Sequence, residues 1–128
     1  MVTQVIYNSD LHFEHMQWKK ELLFWNDELK SFQNRLVEIV KRWSDEKVLA
    51  ELGQFQNKFS SYCNKIDRLM NSIDSHEHNI SAHLGANEDC IDRVQLKHHE
   101  AFREKLVSFR SDYNNLKHKF HLFLTKYL

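Results

Sequence analysis

The stretch LHFEHMQWKKELLFWNDELKSFQNRLVEIVKRW, residues 11–43, decides the fold. Leu11, His15, Trp18, Leu22, Trp25, Leu29, Phe32, Leu36, Ile39 and Trp43 recur in alternating steps of four and three. That is the spacing of a helix packed along a straight seam, with one large side chain per turn facing a partner. It predicts a first helix over about 10–43, capped by Asn8, Ser9 or Asp10. Ser44 then reads as the next N-cap, since Asp45 and Glu46 follow it where negative charge favours the helix dipole.

Outward from this stretch the same rhythm continues. Val48, Leu52, Phe55, Phe59, Tyr62, Ile66, Leu69, Ile73, His76, Ile80 and His83 form a second seam without a slip of phase, predicting a helix over about 45–84. Gly53 falls on its outer face, where glycine weakens a helix by about 1 kcal/mol relative to alanine. A break at Gly53, giving four shorter helices, is the alternative. Gly85 is placed to end this helix in a left-handed conformation, and Asn87 with Glu88 and Asp89 supplies a new cap. His99, Phe102, Leu106, Phe109, Tyr113, Leu116, Phe120, Phe123 and Tyr127 make the third seam, over about 88–127. Upstream of His99 the pattern blurs, so that either His98 or His99 faces the core.

The expected fold is therefore all-α, a single domain over 1–128 built as an antiparallel, coiled-coil-like bundle of three long helices. The absence of proline and the presence of only two glycines agree with long unbroken helices. Helices of this length are on the order of 50 Å long at about 1.5 Å per residue, a slender form that a second copy can complete. Phe13, Met16, Leu23, Phe24 and Val37 lie off the first seam and predict a homo-oligomer or another protein partner. Glu21, Glu28, Arg35 and Lys19 flank that seam and read as a solvated face worth a few tenths of a kcal/mol per pair.

Composition narrows the function. Lys+Arg and Asp+Glu number 18 each and are interspersed, so there is no basic field for nucleic acid. No stretch approaches the roughly 20 apolar residues of a membrane span, and Met1 to Asp10 lacks the pattern of a secretory signal, so a cytoplasmic location is expected. Cys63 and Cys90 stand outside any CxxC spacing and read as free thiols.

What stands out is histidine. Seven of the nine lie in three short segments: His12 and His15, then His76, His78 and His83, then His98 and His99. With a first turn near residue 45, position i on the first helix lies level with roughly 90 − i on the second, at the helical rise of about 1.5 Å per residue. That sets His15 level with residue 75 and His12 with residue 78. A second turn near residues 86 and 87 sets His76 level with residue 97, so all three helices send histidine to one layer. Buried imidazoles without partners cost about 1–3 kcal/mol each, and a divalent metal is the strongest way to satisfy them. The candidate ligands are His15, His76, His99, His12, Glu77 and His83. Glu14, Glu77, Glu88 and Glu100 are carboxylates able to ligate or to orient the rings from outside. Imidazole with carboxylate suits a divalent transition metal, zinc by default, with iron, manganese, copper or nickel also accommodated. The competing reading is a hydrated polar plug in a non-enzymatic interaction or scaffolding module. Bis-histidine haem ligation and a pH-sensitive layer are further alternatives. The chain has no ExxH, HxxxH or HExxH spacing, no glycine-rich phosphate loop and no nucleophile with an evident base, so no reaction is read from it. His78, off the seam, and the His118/His121 pair read as surface.

Overall fold

The computed structural model describes residues 8–84 and 93–127, with side chains at 10–78, 94 and 96–127. Among these the chain is three helices, α1 (Asn8–Arg42), α2 (Glu46–Leu84) and α3 (Arg93–Tyr127), with no strand. The seam residues are the core. On α1, Leu22, Leu29 and Ile39 are fully buried, as are Phe59 on α2 and Tyr113 and Phe120 on α3. Gly53 does not interrupt α2, and an added Cβ there would meet nothing within 4 Å.

Local chemistry sets the described helix ends, with two corrections to the sequence reading. The cap of α2 is Asp45, not Ser44: its Oδ1 accepts from the Lys47 N–H at 2.8 Å and its carbonyl from the Leu49 N–H at 3.0 Å. A carboxylate in the capping position satisfies an otherwise orphan N–H and complements the helix dipole, which moves the start one residue on. Asn8, Ser9 and Asp10 are already helical, and Asp10 sits in the first turn of α1 rather than capping it. Trp43, expected to close the first seam, lies just beyond α1 and is substantially exposed, its indole N–H donating to the Tyr127 carbonyl at 2.9 Å. The expected stop at Gly85, the cap at Asn87 and the thiol of Cys90 lie outside the described residues.

Contacts between helices follow two opposite orders. From α1 to α2, Glu77 meets His12 and His15, Asp74 meets Lys19, and Phe59 meets Phe32, so α2 positions fall as α1 positions rise. From α1 to α3 the positions rise together. Arg103 forks onto Glu14 at 2.7 and 2.8 Å, Arg110 onto Glu21 at 2.5 and 2.8 Å, and Lys117 reaches Glu28 at 3.0 Å. Each partner is 89 residues from the other. Glu21 and Glu28 are thus half-buried rungs between helices, while Arg35 pairs with Glu38 on its own helix. Two-pronged arginine–carboxylate contacts fix geometry as well as adding energy.

The interior is graded along its length. Near the first turn, Phe32, Phe55, Phe59, Phe120 and Phe123 interlock with ring centroids 4.9–6.2 Å apart. Trp25, Tyr62, Phe109 and Tyr113 fill the middle. Beyond Trp18 and Phe102 the aromatic packing gives way to imidazole.

Candidate metal centre

His15, His76 and His99 occupy seam positions on α1, α2 and α3, and their rings meet in one layer. Ring centroids are 5.1 Å apart for His15 and His76, 5.0 Å for His15 and His99, and 5.6 Å for His76 and His99. One nitrogen from each lies within 4.8 Å of the others, and among the described residues no further His, Cys, Asp or Glu joins them. Of the pair left open by the sequence, His99 is the buried one, fully enclosed, and His98 is exposed. Trp18 floors the layer, stacked on His99 at 4.8 Å and tilted against His15 at 5.5 Å.

Carboxylates hold the rings from outside. Glu77 spans two histidines of α1, one oxygen 2.6 Å from His15 Nδ1 and the other 2.9 Å from His12 Nδ1. Glu14 receives His99 Nε2 at 2.8 Å and is itself clamped by Arg103. The Arg103 hydrogen bonds hold the Glu14 carboxyl below its ordinary value, against burial, with His99 adding in the same direction. Burial pushes the Glu77 carboxyl up, but the hydrogen bonds from His12 and His15 outweigh it and the net shift is downward. Both groups are therefore carboxylates at neutral pH and can only accept. It follows that His15 Nδ1 and His99 Nε2 carry the ring protons, so in the neutral rings His15 Nε2 and His99 Nδ1 are lone pairs. Among the described residues, His99 Nδ1 is buried without a hydrogen-bond partner, and so is His76 Nε2.

Burial, then the nearby His15 and His99, depresses the His76 imidazole to about 4; burial likewise lowers His15, against the pull of Glu77. Neutral rings are ligands; protonated ones are not. Between about 4 and the ordinary 6.5 the unfolded chain binds a proton at His76 that the folded chain refuses. Stability therefore rises with pH across this window, is fully present above about 6.5, and is lost as pH falls toward 4. His15 contributes with the same sign. For a half-buried ring the expected loss is on the order of 2 kcal/mol. Urea denaturation at closely spaced pH values measures it, and a flat profile between pH 6.5 and 4 would refute the assignment of neutral rings.

Of the six candidate ligands, then, His15, His76 and His99 converge, whereas Glu77 meets the outer nitrogen of His15 and His12 meets Glu77. The side chain of His83 lies outside the described residues, as does Glu88; Glu100, His78, His118 and His121 are exposed. The sequence reading missed Arg103, which fixes the Glu14 that orients His99. The available signal was the sevenfold spacing of Glu14, Glu21 and Glu28 repeated in Arg103, Arg110 and Lys117.

Fold and site together define a three-helix protein with a histidine layer in its core. Comparison with models of known protein families, with curated proteins and with solved structures finds no match. No helix among the described residues is long and apolar enough to cross a membrane.

Proposed function

We propose that this chain is a metal-binding protein in which His15, His76 and His99 hold one divalent transition metal near one end of an antiparallel three-helix bundle. The observation that supports it is the convergence of three imidazoles, two of which, His76 and His99, each carry a buried nitrogen with no hydrogen-bond partner among the described residues, while the third, His15, is held at Nδ1 by a carboxylate. Carboxylate–imidazole–metal relays have this form: the outer hydrogen bond sets the tautomer and raises the basicity of the inner nitrogen. Metal–nitrogen bonds of about 2.0–2.1 Å in a tetrahedron separate the nitrogens by roughly 3.3 Å. The limit of 4.8 Å observed here closes to that by small rotations of the rings. Zinc is the default ion; copper, nickel, iron and manganese are the alternatives, in falling order of fit to an all-imidazole set. Glu77 and Glu14 orient the ligands, and His12 secures Glu77.

Metal content measured by inductively coupled plasma mass spectrometry tests this reading. Protein purified without a tag is expected to hold close to one ion per chain, lost in the His15→Ala, His76→Ala double variant. If neither protein retains metal after incubation with divalent ions and desalting, the histidines are a hydrated polar layer and the proposal fails.

A second reading rests on the apolar strip that α1 leaves exposed: Phe13, Met16, Leu23, Phe24 and Val37 are all more than two-fifths accessible. In that reading the strip packs against a second copy and the chain is a helical interaction module. Light scattering during size exclusion is expected to show a dimer that Leu23→Lys and Phe24→Glu convert to monomer; a wild-type monomer at micromolar concentration removes the support.

A further inference from the structure

Resting on the metal reading above, we infer that the fourth coordination position at the histidine layer is exchangeable and takes a small monodentate anion from solution. Only three nitrogens converge among the described residues, and the two nearest carboxylates are turned away, spending their oxygens on the outer ring nitrogens and on Arg103. Sites that hold a metal for structure alone close the tetrahedron with four protein ligands, whereas three leave a position for water or substrate.

Three neutral imidazoles bring no charge to a dication, Glu14 already faces the Arg103 fork, and Glu77 beside His15 and His12 supplies one negative charge, so one positive charge is left without compensation. The layer sits between Trp18 and the fully buried Leu11, one turn further along α1. An uncompensated charge in such surroundings is costly, so an anion entering the first shell is favoured over neutral water. The anion donates a lone pair to the ion and one water leaves; no bond within the anion breaks.

With the three ring centroids only 5.0–5.6 Å apart and Trp18 stacked on His99, the crowding at the layer rules out a bulky group as the fourth ligand. Azide and thiocyanate meet that limit; benzoate does not.

The test uses the full chain loaded with cobalt(II), whose visible bands report coordination. Cobalt is expected to bind at one equivalent, to be lost in His76→Asn, and to give bands that azide shifts saturably while equal benzoate leaves them unmoved. Cobalt bound at one equivalent with bands indifferent to azide and thiocyanate would show a closed position, overturning the inference and leaving the metal reading intact. An intense thiolate-to-cobalt band would do the same by revealing a fourth ligand from the chain. Absence of cobalt binding in the wild type would remove both the metal reading and the inference.

Discussion

A His76→Leu protein is expected to be more stable than the wild type when both are free of metal, by about 1–3 kcal/mol at neutral pH. Most substitutions in a core lower stability, so the sign is the informative part. In the wild type His76 Nε2 is buried with no partner among the described residues, next to two other imidazoles, and its ring is held neutral by burial. An unsatisfied buried polar group costs more than the apolar group that replaces it, and leucine suits a seam that already uses Leu69 and Ile73. The same variant is expected to bind no zinc. Added zinc therefore reverses the order: at a thousandfold excess over the dissociation constant the wild type gains about 4.1 kcal/mol that the variant does not. Urea denaturation with chelator and with zinc measures both effects. A variant less stable than the wild type in chelator would mean that His76 makes a favourable contact without metal, and the case for a site held in readiness would lapse.

Phe120→Ala is expected to act on the fold alone, with a loss of about 3–5 kcal/mol. Phe120 is fully buried and packs on Phe32 and Phe59 at 4.9 Å, on Phe55 at 5.3 Å and on Phe123 at 6.2 Å. Removing a ring with so many neighbours leaves a void that several helices would have to collapse to fill, and collapse in close-packed interiors is partial. For a chain of this size the loss lowers the melting temperature by roughly 10–20 °C. The neighbouring Leu122, 59% exposed, is the control: its alanine variant should stay within about 0.5 kcal/mol of the wild type. Metal stoichiometry of the folded Phe120→Ala protein should equal that of the wild type, because the histidine layer lies toward the other end of α1. Equal losses at Phe120 and Leu122 would contradict the packing described for this end.

The contrast between these two positions shows what was legible in the sequence. A seam of large residues at steps of four and three names its own helices and its own core, so spacing alone places Leu22, Leu29, Ile66, Leu106 and Phe120 inside, where they are buried. The same seam carried His15, His76 and His99 into one layer, because the number of residues between turns fixes which positions are level. What spacing cannot convey is rotation of a side chain about its own bonds. Glu77 is level with His12 and His15, but its turn toward their Nδ1 atoms, on the outside of the layer, depends on rotamers and on the approach of α2. Charged flanks were misjudged for a related reason. Glu21 and Glu28 stand beside the seam like ordinary solvated carboxylates, and only the same-direction pairing of α1 with α3 brings Arg110 and Lys117 to them. The cap at Asp45 was a choice between adjacent residues with similar propensity, decided by which side chain reaches the Lys47 N–H.

The rungs between α1 and α3 repeat every seven residues, and repetition carries an ambiguity of its own. Slide α3 back along α1 by one heptad and Glu14 would face Arg110 and Glu21 would face Lys117, with only the last rung lost. Leu106 would then stand where His99 stands, completing a more apolar layer. Charge pairing alone thus leaves two near-equivalent alignments, and simple hydrophobicity leans toward the wrong one. The histidines break the tie. A ligand that needs three imidazoles at once rewards a single alignment, so an ion bound there as proposed would also act as the chain's proofreader, selecting one pairing of helices from a repeating set.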